Sequence, residues 1–144
     1  MKIAIGSDHA GLGLKKYIIF YLIDKYGMNI FDFGTYTDES CDYPDYAHQV
    51  AKSVSEGEND FGILCCGSGQ GVNIVANKHQ GIRSVLAWTP EIAELGRQHN
   101  DANVLALPAR FIDEKVAFEC IEKFLSSEFE QRHINRINKI EKTA

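Results

Sequence analysis

Short apolar segments alternate with amphipathic segments along the whole of this chain. The first apolar segment covers residues 2–6, and residues 12–26 then carry Leu14, Ile18 and Leu22 at helical spacing. An apolar segment followed by an amphipathic segment recurs toward the other end of the chain. Strands that alternate with helices form parallel sheets with helices packed on both faces. The alternation therefore predicts an α/β fold built on a parallel sheet.

The sequence predicts five strands, each followed by a helix. The strands cover residues 2–6, 30–33, 61–66, 83–88 and 103–107, and the helices cover residues 12–26, 44–55, 72–77, 90–97 and 113–125. A last amphipathic helix carries Ile134, Ile137 and Ile140 on one side. Right-handed crossovers make such a sheet doubly wound. Because 144 residues suffice for one core and no linker or repeat interrupts them, we expect residues 1–144 to form one domain.

Charge and hydropathy exclude several classes of function. The net charge is -5 at pH 7, so the chain lacks the excess positive charge that binding to nucleic acids or membrane surfaces requires. No apolar run approaches the ~20 residues that a membrane-spanning helix needs. The chain opens on a predicted strand rather than on a signal peptide, and we expect it to act in the cytoplasm.

The four cysteines are expected to be free thiols. Cys65 and Cys66 are adjacent, so they form neither a CxxC pair nor a zinc knuckle. Neighbouring residues on a strand point to opposite faces of the sheet, so these two thiols are poorly placed to share a metal ion. The cysteine pattern therefore predicts no structural metal.

Ligands of doubly wound sheets bind beyond the carboxyl ends of the strands. Asp8 and His9 follow the first strand, and Cys66 ends the third strand just before a helix. A helix N-terminus stabilises a thiolate, so Cys66 is a candidate nucleophile or general base. For Cys65 we favour the usual state of a free cysteine, a small buried apolar side chain. Asp8 and His9 could exchange protons with a bound hydroxyl group, and a helix cap beside a surface imidazole is the alternative.

Three glycines at alternate positions follow Cys66. Gly67, Gly69 and Gly71 leave backbone N–H groups uncovered at the start of a helix, an arrangement that binds anions. A plain tight turn is the alternative interpretation. Asp32 ends the second strand, where a ribose-binding acid would lie, but the dinucleotide fingerprint GxGxxG is missing after the first strand. This absence argues against nicotinamide binding.

Two more groups of polar residues lie in the second half of the chain. His99 and Asn100 end the helix that begins at Pro90, where they form either part of a site or a helix cap. Arg132 and Arg136 lie one helical turn apart, so their guanidinium groups could converge on a phosphate or simply form a solvated basic face. The apolar side of this last helix needs a covering surface, which a second subunit could supply.

These motifs together resemble the ribose-5-phosphate isomerases of type B. The resemblance spans nearly the whole chain, and its segments occur in that family's order. They are Gly-Ser-Asp-His at 6–9, Asp-Tyr-Pro at 42–44, Cys-Gly-Ser-Gly-x-Gly at 66–71, Ala-Asn-Lys at 76–78, Gly-Ile-Arg at 81–83, Arg-Gln-His-Asn-Asp-Ala-Asn-Val at 97–104 and Arg-His-x-x-Arg at 132–136.

The resemblance implies a Rossmann-like subunit, a homodimer with each active site at the subunit interface, and a small sugar phosphate as the substrate. It also implies catalysis without a metal or another cofactor. It implies that Cys66 is the base, that Ser68 supplies the hydroxyl group beside it, and that His99 opens the sugar ring. It assigns sugar contacts to Asp8, which also assists the catalytic proton transfers, and to His9. The remaining substrate contacts that it implies are Tyr43, Gly67, Gly69, Gly71, Asn100 and Arg110, with Arg132 and Arg136 on the phosphate.

Several alternatives stay open at this stage. Related isomerases act on galactose, allose or tetrulose phosphates, and dimers could pair into tetramers. Members of the family without the cysteine use a glutamate near the position of Gln70, so this chain follows the cysteine branch. A non-catalytic nucleotide-sensing module is a rival from a different class. A cysteine-based phosphatase fits poorly, because no arginine closes the turn after Gly71.

Overall fold

Five parallel strands form a single sheet in the computed structural model, which describes residues 1–141. Their order across the sheet is β2-β1-β3-β5-β4. The strands are β1 (Lys2–Ser7), β2 (Asn29–Asp32), β3 (Phe61–Cys66), β4 (Ser84–Leu86) and β5 (Val104–Pro108). The predicted five-stranded parallel sheet is confirmed, and most strand ends lie within one or two residues of the predicted positions.

The helices follow the strands in the predicted alternation. They are α1 (Leu12–Tyr26), α2 (Tyr43–Ser55), α3 (Gln70–Ala76), α4 (Pro90–Asn100), α5 (Glu114–Ser126) and the short α6 (Ile134–Ile137), which follows a 3₁₀ turn (Gln131–His133). Prolines occupy the first turns of α2 and α4, where their missing N–H group is not needed. Within the described residues, none of these helices combines the length and the apolar character needed to cross a membrane.

Two apolar cores lie on opposite faces of the sheet. The first packs α1, α4 and α5 against one face and includes Ile3, Ile5 and Cys65. The second packs α2 and α3 against the other face and includes Ala4 and Cys66. Successive residues of a strand alternate between the two cores because side chains alternate across a pleated strand. The doubly wound arrangement predicted from the sequence is therefore confirmed.

The C-terminal segment differs from its predicted form. The isoleucine spacing predicts a continuous amphipathic helix, whereas α6 is a single turn, and tighter i-to-i−3 bonds such as Ile140 N to Ile137 O follow it. Ile137 is buried in its own chain, while Ile134 and Ile140 are exposed. Only one of the three isoleucines is therefore buried within the subunit. The predicted packing of this segment on a partner subunit stays a prediction.

The loop after β1 is pressed against β3 at Gly11. A Cβ atom on Gly11 would lie 2.3 Å from the carbonyl oxygen of Cys65, a distance that no side chain tolerates. The Gly11 N–H donates to the Asp8 carboxylate at 3.0 Å, and the Asp8 N–H donates to the Cys65 carbonyl at 3.3 Å. The missing side chain of Gly11 therefore allows the loop carrying Asp8 to lie directly beside the end of β3.

We predict that Gly11→Ala destabilises the protein by about 2–3 kcal/mol, because the added methyl group must displace backbone of β3. The matched control is Gly13→Ala, where a Cβ meets no atom within 4 Å. Gly13 is an exposed position in α1, so alanine there should stabilise the protein by about 0.5–1 kcal/mol. Urea unfolding of both variants measures the difference, and equal effects would contradict the close approach at Gly11.

Candidate functional site

The carboxyl ends of β1 and β3 meet at the point where the strand order reverses. From β1 the chain passes to β2 on one side, and it returns to β3 on the other side of β1. The two strands pair directly, with Ser7 opposite Cys65. Ligands of open α/β sheets bind in the crevice at such a switch point. The two strands continue into the loops that begin at Asp8 and at Gly67, and the crevice is expected between these loops.

Cys66 ends β3 at this switch point. It lies at the rim of the second core with 6% of its surface exposed, whereas Cys65 is fully buried in the first core. Burial raises the pKa of the Cys65 thiol far above its usual range, and burial also raises the pKa of Cys120 to about 12. Both of these thiols therefore stay protonated and inert, which leaves Cys66 as the candidate reactive group of β3.

The glycines after Cys66 are required by close packing. Gly69 has a φ of 75°, and a Cβ there would lie 2.5 Å from the side chain of Leu86. The ring of Tyr43 covers Gly71, where a Cβ would lie 2.5 Å from the ring. The Ser68 hydroxyl accepts a hydrogen bond from the Gln70 N–H at 3.3 Å and so lies at the start of α3. The plain-turn interpretation explains part of this glycine pattern, and the anion cradle stays a prediction.

Arg110 joins the same end of the sheet from β5. Its N–H donates to the Gly67 carbonyl at 3.0 Å, and its guanidinium group lies over Gly67, with Nη1 3.2 Å from the place of a Cβ. A side chain at position 67 would therefore push the guanidinium group away from the turn. Arg110 brings a fixed positive charge to the crevice, next to the turn predicted to bind an anion.

Asp8 and His9 are both held by backbone N–H groups. One Asp8 carboxylate oxygen accepts the Gly11 N–H, so part of the loop-capping alternative is correct. The Nδ1 atom of His9 accepts a hydrogen bond from the Cys41 N–H at 3.2 Å. A neutral His9 ring therefore carries its proton on Nε2, where it can donate to a ligand.

Asp32 does not offer a free carboxylate for a ribose. Its Oδ1 accepts a hydrogen bond from the buried ammonium group of Lys15 at 2.6 Å and another from the Gly34 N–H at 2.9 Å. Lys15 is 1% exposed and also donates to the Thr35 carbonyl, so Asp32 serves as its counter-ion. This pairing agrees with the sequence-based argument against nicotinamide binding.

His99 and Asn100 lie at the opposite edge of the sheet from Cys66. Helix α4 starts after the carboxyl end of β4 and runs back for 11 residues, a length of ~16 Å. The Asn100 carbonyl accepts a hydrogen bond from the side chain of Arg83, which immediately precedes β4. A single chain therefore does not bring His99 and Cys66 together.

The C-terminal segment folds against this same edge and joins His99. The Glu130 N–H donates to the Gln98 carbonyl at 2.9 Å, and the rings of His99 and His133 lie 4.5 Å apart. Arg132 donates to one carboxylate oxygen of Glu130 from both Nε (3.1 Å) and Nη2 (2.9 Å). The two predicted phosphate ligands, Arg132 and Arg136, thus lie beside His99. The other predicted site residues lie at the carboxyl edge of the sheet. They are Asp8, His9, Tyr43, Cys66, Gly67, Ser68, Gly69, Gly71 and Arg110.

Glu130 and His133 are members of this cluster that the sequence-based prediction missed. Burial lowers the pKa of His133, and the positive charges of Arg132, His99 and Arg136 lower it further. The hydrogen bonds from Arg132 lower the pKa of Glu130. At neutral pH His133 is therefore neutral and Glu130 is ionised. A signal for His133 was available in the sequence, because it lies between the two arginines of the quoted motif.

The chain is similar to known proteins over nearly its full length. The model of the Ribose/Galactose Isomerase family matches residues 3–140. Ribose-5-phosphate isomerase B of Escherichia coli is 45% identical over 140 residues, which cover 96% of this chain and 93% of that protein. The crystal structure of a ribose 5-phosphate isomerase from Thermotoga maritima is 50% identical, covers 96% of both chains and superposes with a TM-score of 0.94.

A further solved structure carries a bound sugar phosphate. It is ribose-5-phosphate isomerase B from Mycoplasma genitalium with bound ribulose-5-phosphate. That protein is 42% identical, the match covers 96% of this chain and 93% of that chain, and the TM-score is 0.90.

We predict that iodoacetamide alkylates Cys66 and the partly exposed Cys41 in the folded protein, while Cys65 and Cys120 are protected by burial. Peptide mass spectrometry should show that Cys66→Ser removes the label from the peptide that contains both adjacent thiols. Cys65→Ala is the matched control and should keep that label. A label that persists in Cys66→Ser would identify Cys65 as the accessible thiol and contradict the assignment.

Proposed function

This chain belongs to the Ribose/Galactose Isomerase family, and we propose that it interconverts ribose 5-phosphate and ribulose 5-phosphate. The observation that carries the proposal is the thiol of Cys66, which lies at the rim of the switch-point crevice beside an uncharged glycine turn. The named relatives from Escherichia coli and Mycoplasma genitalium, the second with ribulose-5-phosphate bound, support this substrate over a hexose phosphate.

The first step in the proposed mechanism opens the sugar ring. Ribose 5-phosphate rests mainly as a closed furanose, in which no carbonyl group activates the C2 proton. His99 moves a proton between the anomeric hydroxyl and the ring oxygen. Asp8 or His9 assists from the other side of the sugar. The Nε2 proton of neutral His9 is suited to donation to a sugar hydroxyl group.

Cys66 then transfers a proton between the two reacting carbons. The thiolate removes the C2 proton, and the electron pair forms an enediolate with its charge on O1. The proton then returns to C1, while the O2 hydroxyl loses its proton to form the ketone and O1 gains a proton to become a hydroxyl group. A general base of this kind contributes ~10²–10⁴-fold to the rate. Negative charge that develops on oxygen is stabilised by the backbone N–H groups of the glycine turn and the Ser68 hydroxyl. One such donor is worth about 3–4 kcal/mol. The redox change is internal to the sugar, so the reaction consumes no oxidant or reductant.

The complete site in this proposal requires two subunits. Cys66 and His99 lie at opposite edges of one sheet, and a five-carbon sugar phosphate is too short to bridge them. We therefore propose a homodimer in which one subunit supplies Cys66, Ser68 and Asp8 while the other supplies the group at the amino edge. That second group consists of His99, Asn100, Arg132 and Arg136.

Phosphate binding positions the reacting carbons in this arrangement. Arg132 and Arg136 hold the phosphate at the far end of the sugar from C1, so that binding energy remote from the chemistry orients C2 toward the thiol. Arg110 supplies a further positive charge from the subunit that carries Cys66. The free state of all four cysteines suits a reducing compartment, and a cytoplasmic location is part of the same proposal.

We predict that Cys66→Ala lowers the turnover of ribose 5-phosphate by ~10²–10⁴-fold or more, because it removes the proposed base for the C2 proton. Exchange of the C2 hydrogen with D₂O, followed by NMR, should be lost together with turnover. Substrate should still raise the unfolding temperature of the variant, which shows that binding survives. Cys65→Ala is the matched control and should keep its activity, and retained turnover in Cys66→Ala would exclude the thiol as the base.

The shared site predicts that two inactive variants complement each other. Cys66→Ala and His99→Asn, unfolded together and refolded as a mixture, should form heterodimers that contain one intact site out of two. Random pairing then restores about a quarter of the wild-type activity. Each variant refolded alone serves as the control. No recovery in a mixture that native mass spectrometry shows to contain heterodimers would mean that one chain supplies both residues of a site.

A further inference from the structure

We propose that His99, Glu130 and His133 form a binding site for a zinc ion, and that zinc bound there inhibits turnover by occupying His99. The inhibitory effect rests on the proposed function, whereas the binding of the metal does not.

The three side chains offer the ligand set that zinc prefers. One ligand atom from each residue lies within 4.8 Å of the other two. Two imidazoles and one carboxylate, with an open fourth position, make a common zinc coordination sphere. Ligand atoms around tetrahedral zinc lie about 3.3 Å apart. Side-chain rotations that move the ligand atoms by about an ångström therefore suffice to bring them to this spacing. The backbone bond from Glu130 to Gln98 already fixes the two segments against each other.

A second observation independently points to a missing ligand. His133 is 8% exposed, and its Nε2 atom is buried without a hydrogen-bond partner among the described residues. A buried polar atom without a partner is costly. The contact between His133 Nδ1 and Arg136 is 3.4 Å long, and the exposed Arg136 side chain is able to leave it. Zinc on Nε2 would give this nitrogen a partner, and the ring proton would then lie on Nδ1, from which the Arg136 guanidinium group, a donor only, turns away.

Glu130 keeps one carboxylate oxygen that receives no hydrogen bond from Arg132. Both hydrogen bonds from Arg132 end on the Oε1 atom of Glu130, so Arg132 orients the carboxylate while Oε2 stays available to the metal.

Two positive charges limit the strength of this site. The guanidinium groups of Arg132 and Arg136 lie next to the ligands and repel a divalent cation. We therefore expect a micromolar dissociation constant, well above that of a structural zinc site. Zinc at this site would act as a reversible inhibitor that a chelator removes.

The first test measures metal binding by the full chain without reference to activity. Titration calorimetry with Zn²⁺ and the visible absorption of bound Co²⁺ should show one site per subunit. Glu130→Gln and His133→Gln should each weaken binding at least tenfold. Arg136→Ala should strengthen Zn²⁺ binding, because it removes a repelling charge. If the cluster had only a structural role, none of these three variants would change the affinity for Zn²⁺.

Two control variants separate this site from its rivals on the same chain. His48 and His79 form the other close histidine pair in the described residues, with their nitrogens 2.7 Å apart. His48→Gln and Cys66→Ala should therefore leave the affinity for Zn²⁺ unchanged. Loss of binding in either control, with full binding in Glu130→Gln, would overturn the proposed site.

The second test measures inhibition of ribose 5-phosphate turnover by Zn²⁺, each variant being compared with its own rate in chelator. Wild-type protein should lose at least nine-tenths of its activity at saturating Zn²⁺ and recover it with chelator. Glu130→Gln should need at least tenfold more Zn²⁺. Zinc that binds at the cluster without slowing turnover would refute the inhibition and the ring-opening role of His99, while the metal site itself would stand.

Discussion

The direct pairing of β1 with β3 is the constraint on which the rest of the candidate site depends. It places the loop after β1 and the loop after β3 side by side at one edge of the sheet. Gly11 makes this possible at atomic scale, because its missing side chain leaves room for the carbonyl of Cys65. The Asp8 N–H then hydrogen-bonds to that same carbonyl, which ties the loop after β1 to the end of β3. A crevice between them follows from the strand order alone.

The pleat of β3 decides which of two adjacent thiols is available for chemistry. Cys65 and Cys66 differ by one position, yet one lies in each apolar core. Burial fixes Cys65 in its protonated form, while Cys66 lies at the rim of its core at the end of the strand. A shift of one residue in the register of β3 would exchange the two roles. The register is held by buried neighbours on both sides of the strand.

The polar residues of this chain are divided between two opposite edges of the sheet. The carboxyl edge carries the thiol, the glycine turn and Arg110, and the amino edge carries His99 with the C-terminal arginines. The division follows from the direction of α4, which returns the chain from one edge to the other. The proposed base and the arginines that we propose as phosphate ligands thus lie at opposite edges, too far apart to act on one small molecule within a subunit. The proposed dimer brings them together, and it also explains why the amino edge exposes polar groups and apolar residues such as Ile134 side by side.

The sequence by itself determined the order of the strands and helices, the doubly wound class and the candidate residues at the strand ends. It did so because apolar periodicity and the turn residues glycine and proline act locally. Only the tertiary structure decided which strands are neighbours, that Asp32 is the counter-ion of Lys15, and that Glu130 and His133 join His99. These contacts link residues far apart in the chain, and their geometry depends on packing of whole elements, which no local pattern encodes. The length of the last helix was predicted wrongly for the same reason, since the isoleucine spacing continues beyond the single turn that packs on the subunit.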